Sequence, residues 1–519
     1  MRDADPTELP PAKDLPRLAA ERTPDGVAFA DGVDGRSLTW DAFDARTNRA
    51  ANALRCHVAQ GDRVAFVCDA SVDHVTLWTG ALKAGCVVSN LHARAAPETL
   101  RHCVEALRPR VIVVDAAYSA LVEEHIVGET GADPDAVVAI GEARADYERS
   151  VDAFLEGHST TEPDVRVGEE DVMSVVWTSG TTGRPTGWCM TNRAFCARGW
   201  KLALVKRWSR HSRRVQPLTP SFAAWYTGVA PALFTGAATY FLRSWDPVAY
   251  LRTVDEASIT HATLVPTMWR ELVEHERFEE FDTSSLELVT AAGEVLDETT
   301  VRRLRERVCD RVTNAYASTE ALGTAMLDEE LTPERIESVG RAHPGTEVRV
   351  VEQGGPPDAR LPPEEVGEVI VRGSDAVSWA WGDTATTEDA FRNGWWYSGD
   401  LGYLDADGFL FLEGRTDFVI YSKGMKVHPA PVEERLNAHP GVAESAVVGV
   451  EDDEYGERVV GVVHRADPDL TAGDLDEWCL DADALARYER PRAYRFVDEP
   501  LPRTATGKLD RNGARGRIE

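Results

Sequence analysis

The densest run of chemistry-bearing residues is Thr178-Ser-Gly-Thr-Thr-Gly-Arg-Pro-Thr-Gly187, directly after the apolar stretch 172–177. Glycines and hydroxyl residues that follow a buried strand can curl backbone N–H groups and hydroxyls around phosphate oxygens. The segment is not a GxxxxGK[ST] loop, because no Lys-Ser/Thr pair closes it. Taken alone it suits a structural turn as well as a phosphate cradle. No GxSxG nucleophile elbow is present. Whatever the chemistry is, no serine of that type carries it.

Four more stretches follow in order: Tyr316-Ala-Ser-Thr-Glu320, Tyr397-Ser-Gly-Asp-Leu401, Gly414-Arg-Thr-Asp417 and Pro502-Arg-Thr-Ala-Thr-Gly-Lys508. With Thr178–Gly187 they resemble the motifs of the acyl-adenylate-forming superfamily: acyl-CoA synthetases, peptide-synthetase adenylation domains and beetle luciferase. The resemblance spans about residues 20 to 515. It implies a two-step reaction. A carboxylate attacks the α-phosphorus of ATP to give acyl-AMP and pyrophosphate, and a thiol, usually that of CoA, then displaces AMP. Oxyanions crowd together in the first step, so alignment and charge stabilisation do most of the catalysis.

The resemblance also implies roles. Thr178, Ser179, Gly180, Thr181, Thr182 and Gly183 form the phosphate loop. Gly293, Glu294, Tyr316, Ala317 and Ser318 surround the nucleotide, with Tyr316 stacked on adenine. Thr319 touches the α-phosphate, and Glu320 holds Mg²⁺, a hard cation that relieves the repulsion between carboxylate and triphosphate. Asp400 accepts the ribose hydroxyls, and Arg415 reaches ribose or phosphate. Lys508 bridges the attacking carboxylate and the α-phosphate. Asp417 is the hinge on which a small domain swings between the two half-reactions. Gly424 lines the pantetheine tunnel, and Lys423 acts in the second half-reaction; Lys423 and Lys426 also read as solvated loop charges.

Three departures from the family pattern stand out. Thr186 occupies the place of the phosphate-loop lysine, with Arg184 nearby as a substitute. Ala317 replaces a glycine, which narrows the acyl pocket. Pro217-Leu-Thr-Pro-Ser-Phe-Ala223 places Pro220 where a histidine or aromatic gate often stands, leaving Phe222, Trp225 or Tyr226 to shape the pocket. Together with Tyr488-Glu-Arg-Pro-Arg492, the pattern is most similar to medium-chain and aromatic acid–CoA ligases. The expected acid is aromatic, branched, or short to medium in chain length. Two alternatives stand beside this one: a stand-alone adenylating enzyme that loads a carrier protein, and a degenerate nucleotide-binding homologue.

These residues need elements to position them. Stretches 64–68, 111–115, 172–178, 262–265, 286–291 and 312–316 read as buried strands. Between them, 72–83, 97–107, 248–257 and 299–308 read as helices. This alternation predicts an α/β fold with layered, mixed sheets. After about residue 340 the texture turns β-rich, with Asp407-Gly408 as a hairpin signal. Beyond Arg415 a short α+β unit follows. We expect a large N-terminal domain of several subdomains over 1–416 and a small mobile C-terminal domain over 417–519.

The chain has 519 residues, 87 acidic and 56 basic, for a net charge of −31, and 43% are hydrophobic. That charge excludes a broad nucleic-acid-binding face. No apolar run is long enough for a membrane span. Only seven of the basic residues are lysines. An acidic, Lys-poor surface suits a salt-adapted protein, because dense salt screens carboxylate repulsion. The eight cysteines form no CxxC pair, so neither a zinc site nor a disulfide framework is expected. Met1–Lys13 is charged and proline-bearing, unlike a signal peptide, which points to the cytoplasm. The expected partners are a small carboxylic acid, ATP, Mg²⁺ and CoA, with the protein a monomer or homodimer.

Overall fold

The computed structural model describes residues 10–127, 134–144, 148–179, 185–293, 296–321, 325–327, 335–423, 425–452, 454–480, 485, 487–503 and 509–518; the side chains of Ser179, 325–327, Asp417 and Lys426 lie outside the description. The chain divides into two compact units. One comprises Met1–Glu347 and Arg372–Trp396, the other Val348–Val371 and Tyr397–Glu519.

Among the described residues, the first unit is built on two large mixed sheets. One runs in the order Trp379–Ala380, Pro185–Thr191, Val172–Ser179, Val87–Asn90, Arg63–Val67, Val111–Asp115, Ala136–Ile140, Glu148–Ser150. The other runs Arg341–Ala342, Ala325–Leu327, Val312–Tyr316, Leu288–Ala292, His261–Leu264, Arg213–Gln216, Ala238–Phe241, Val27–Asp31, Ser37–Thr39. Their central strands are parallel, and those of the first sheet, Arg63–Val67, Val111–Asp115 and Ala136–Ile140, read as near-continuous apolar runs, as strands covered on both faces do. Val111–Asp115 is buried at every position. The intervening helices are capped locally. Ser71 accepts from the His74 amide at the start of Val72–Lys83, and Asp297 accepts from the Thr300 amide at the start of Glu298–Arg307.

One expectation changes around Thr178–Gly187. The residues after the loop form a second strand, Pro185–Thr191, antiparallel to Val172–Ser179, with Ser179 opposite Pro185 and Thr178 opposite Thr186. The glycine here has a packing reason. A Cβ on Gly187 would lie 2.8 Å from Val175 Cγ1 and 3.2 Å from the Trp177 ring.

In the second unit, Trp395–Leu404 pairs with Leu410–Arg415 around the Asp407-Gly408 turn, and Gly408 takes φ +83° as that turn requires. A separate sheet runs Met425–Val427, Ile420–Ser422, Gly456–Arg465, Val442–Asp452, with Ala493–Val497 parallel to Gly456–Arg465. Helices Pro429–Asn437 and Ala472–Leu480 cover it, closing a core of Val432, Leu436, Val447, Val463 and Leu475. Among the described residues, no helix is long and apolar enough to cross a membrane.

Candidate active site

Ligands of open α/β sheets gather beyond the carboxyl ends of the parallel strands. In the first unit those ends carry the residues singled out above. Gly293 follows Leu288–Ala292 with φ +93°, a conformation that suits glycine, and stands 3.7 Å (by a built Cβ) from Val265 at the end of the neighbouring strand. Tyr316 closes Val312–Tyr316 and is buried, whereas Ala317 immediately after it is exposed. Ser318 Oγ then accepts from the Ala321 amide at 2.9 Å, turning the chain so that Thr319 and Glu320 sit half-buried at the strand end.

This turn is tied to the Thr178 hairpin through a short segment. The Glu320 carbonyl accepts from the Val377 amide at 2.8 Å, and the next amide, Ser378, donates to the Cys189 carbonyl at 2.9 Å. Trp379 and Ala380 then pair with Cys189 and Trp188. The Trp188 indole N–H in turn donates to Thr178 Oγ1 at 3.2 Å. Residues 377–380 were not picked out from the sequence. Their signal is positional only: they couple two motifs that lie over 130 residues apart.

Gly180, Thr181, Thr182, Gly183, Arg184, Glu294, Gly424 and Lys508 lie outside the described residues. Glu320 is the carboxylate of the predicted metal position. Among the described residues, no group of three or more His, Cys, Asp or Glu side chains could hold a metal. A single carboxylate next to hydroxyls fits Mg²⁺, which usually takes one or two protein carboxylates and completes its shell with water and substrate phosphates.

The predicted acyl-pocket residues part company. Phe222 is half-buried at the start of helix Ala223–Thr235 and packs on His92 with ring centroids 5.2 Å apart; His92 Nδ1 lies 3.2 Å from Ser221 Oγ. Trp225 and Tyr226 belong to the core instead. Trp225 is fully enclosed by Trp78, His74 and Tyr226, and Tyr226 bonds Ser174 and Asn90. Two large rings in an apolar interior are more stable there than on a polar pocket wall.

The second unit holds the other half of the predicted set. Asp400 and Arg415 are register partners, and Arg415 Nη1 donates to Asp400 Oδ1 at 2.8 Å. The flanking backbone is braced. Ser398 Oγ accepts from the Asp400 amide at 2.9 Å, Glu368 from the Gly399 amide at 3.3 Å, and the Thr416 hydroxyl donates to the Gly399 carbonyl at 3.1 Å. A Cβ on Gly399, which has φ +67°, would meet Arg415 Nη2 at 2.9 Å. Asp417 follows in a single 3-10 turn, Thr416–Phe418. Lys423 takes φ +50°, unusual for a residue with a side chain. Its ammonium bonds Glu454 at 2.7 Å and lies 4.2 Å from the Tyr455 ring centre, and the Glu454 hydrogen bond raises its pKa. A cavity of about 500 Å³ in the same unit is lined by Leu480, Arg487, Tyr488, Arg490 and Arg492.

Comparison with known proteins gives the class of enzyme. Residues 17–378 match the AMP-binding enzyme family and residues 431–508 its C-terminal domain. The chain belongs to the AMP-binding enzyme family. It is 30% identical over 498 residues to a 3-hydroxybenzoate–CoA/4-hydroxybenzoate–CoA ligase of Thauera aromatica, covering 93% of this chain and 92% of that one. It is 31% identical over 510 residues to a feruloyl-CoA synthase of Amycolatopsis, covering 97% and 98%. Its fold is similar to that of ATP-bound MatB from Rhodopseudomonas palustris, with a TM-score of 0.86, 25% identity and coverage of 97% and 98%.

Proposed function

We propose that the protein is an AMP-forming carboxylic acid–CoA ligase. The observation that carries this reading is the braced Asp400–Arg415 pair within the Tyr-Ser-Gly-Asp and Gly-Arg-Thr-Asp motifs. A carboxylate held between strands presents oxygen acceptors to a ribose diol, and its paired guanidinium adds a donor for ribose or phosphate. Thr178 and the loop after it receive the phosphates, and Tyr316 and Gly293 border the nucleotide. Glu320 would hold Mg²⁺, which when bound neutralises phosphate charge. Thr319 donates to the α-phosphate, and Lys508 brings the substrate carboxylate and that phosphate together. No side chain becomes covalently modified. The enzyme aligns two anions and offsets their repulsion.

CoA is favoured over a carrier protein as the thiol by the cavity of Arg487, Arg490 and Arg492. Arg487 and Arg492 beside Tyr488 suit the phosphates and adenine of free CoA, through charge and ring stacking, while Arg490 is ion-paired with Asp476. The relatives named as CoA ligases support the same choice. The acid is aromatic, branched, or short to medium in chain length.

The test is paired. ATP–pyrophosphate exchange is followed across a panel of acids, and AMP release is followed with free CoA. Exchange with CoA-dependent AMP release is the expected result. Exchange without release, restored only by a phosphopantetheinyl carrier protein, would favour the carrier-loading alternative.

A further inference from the structure

The central parallel strands of the first unit have one closed face and one partly open face. On the closed face Ala262, Leu264, Val289, Ala291, Val312, Asn314 and Tyr316 are all buried. The opposite face bears Thr263, Ala292 and Ala315: Ala292 pairs with Ala315, and Thr263 pairs with Thr290, which puts it on the diagonal from Ala292. All three are small, and all three keep partial exposure. They leave a trough that starts beside exposed Ala317, crosses two inter-strand spacings and steps back four residues along the strands to Thr263, roughly 16 Å in all.

The far end of the trough is cationic. Lys206 Nζ lies 3.4 Å from Thr263 Oγ1, and its ammonium is almost wholly buried. Its backbone is pinned, since the Lys206 carbonyl bonds His261 Nε2 at 2.9 Å on the same sheet face. Behind it stand Arg198 and Arg214, both fully buried, with Lys201 one helical turn beyond Arg198. Arg214 Nη2 bonds Gln216 at 2.7 Å, but Arg214 Nε and Nη1 and Arg198 Nε and Nη1 have no hydrogen-bond acceptor. Asp375 is the one carboxylate the described residues set against these cations, and its ion pair is with Lys201. Burial and the two guanidinia push the Lys206 amine down to about 7. Among the described residues, four buried basic groups face one carboxylate and leave positive charge in excess, a costly arrangement unless an anion completes it.

We infer that this group reads the distal end of the acid, and that the preferred substrate is a dicarboxylic acid whose second carboxylate docks on Lys206 at Thr263. The inference rests on the acid–CoA ligase reading and names the substrate class of that site. The first carboxylate is adenylated beside Ala317. The second, roughly 16 Å away along the trough, supplies the missing negative charge and stays chemically unchanged. Lys206 is a specificity residue in this scheme, not a participant in the reaction.

The test compares matched acids: decanoate against decanedioate, and dodecanoate against dodecanedioate. Acyl-CoA formation is measured for wild type, Lys206→Met and Lys206→Arg. In wild type, kcat/KM for each diacid should exceed that of its monoacid by about tenfold or more. Lys206→Met should lower the diacid value by about tenfold or more, mainly through KM, while monoacid turnover and the KM for ATP hold or improve. Lys206→Arg should keep the diacid preference. A wild type that favours the monoacids overturns the inference while leaving the ligase reading intact. So does a Lys206→Met enzyme that loses both acid classes equally, which would mark the lysine as merely structural. Absence of turnover with every acid would remove the ligase reading and the inference together.

Discussion

Asp400 and Arg415 stand opposite each other across one antiparallel ladder, and the guanidinium donates to the carboxylate at 2.8 Å. The pair fixes the orientation of the carboxylate on its strand. Asp400→Asn keeps the shape but removes the charge and half of the acceptor capacity. We expect kcat/KM for ATP in pyrophosphate exchange to fall about 10²-fold, or roughly 2.7 kcal/mol of transition-state stabilisation. An unchanged KM for ATP, with all the loss in thermal midpoint, would show that the pair only braces the strands.

Thr186 is the register partner of Thr178, on the hairpin face that also carries Trp188. A lysine at 186 would start from beside the Thr178 hydroxyl and reach toward the loop tip with a charge that threonine lacks. Thr186→Lys should therefore lower the KM for ATP severalfold, measured by exchange. An unchanged or higher KM would mean that the loop is organised around threonine, with Arg184 or backbone donors supplying the charge contact.

The parts of the fold that were legible from sequence are those where one physical signal dominates. Val111–Asp115, Val72–Lys83 and Pro97–Leu107 fall at the expected residues, because an apolar strand, a helix capped by Ser71 and an amphipathic helix begun by Pro97 leave no competing reading. Strand Pro185–Thr191 was hidden, because Pro, Thr and Gly read as loop and its stability comes from pairing with Val172–Ser179. Trp225 and Tyr226 misled for a related reason. Aromatic residues near a pocket motif look like pocket walls until packing shows them enclosed by Trp78 and His74. Arg198, Lys201, Lys206 and Arg214 look like an ordinary solvated basic stretch, and only burial distinguishes them.

That burial has a pH signature. The Lys206 amine is pushed down to about 7 in the folded chain by burial first, then by Arg214 and Arg198; its value when unfolded is near 10.4. Between those values the unfolded chain binds more protons, so this residue makes stability rise with pH, by at most about 1.4 kcal/mol per unit. Below about pH 7 its destabilisation is present in full. Lys201, Arg198, Arg214, Tyr250 and His261 also titrate or carry charge nearby, and the buried thiols act in the opposite sense above about pH 9. Comparison with Lys206→Met cancels these contributions. The variant should be the more stable one at pH 6.5, and its advantage should shrink by pH 9. An advantage that does not change with pH would place the ammonium in a solvated site.

The net charge of −31 and the scarcity of lysine predict a salt requirement. Exposed pairs such as Arg193–Glu170 and Arg372–Glu347 each contribute about 1 kcal/mol or less and weaken on screening. Repulsion summed over the acid excess is screened by the same ions and is the larger effect. The thermal midpoint should rise between about 0.1 M and 2 M KCl. A flat or falling midpoint would show that the acidic surface has no such role.

The proposed reaction makes its sharpest demand on the second unit, because under that reading its two halves call on different residues of it. Lys508→Ala should cripple acyl-AMP formation by about 3 kcal/mol or more, since two anions must then meet with less charge compensation. It should leave thioester formation from supplied acyl-AMP largely intact. Asp417 lies in the short turn Thr416–Phe418, directly after the strand that ends at Arg415. Proline there fixes φ near −65° and hinders a pivot, while the Asp400–Arg415 ladder before it stays paired. Asp417→Pro should therefore slow thioester formation and spare adenylation. Single-turnover kinetics of each half-reaction read both variants directly. Equal loss of both halves in both variants would mean that one static arrangement serves the whole reaction, with Lys508 and Lys423 acting from the same position of the unit.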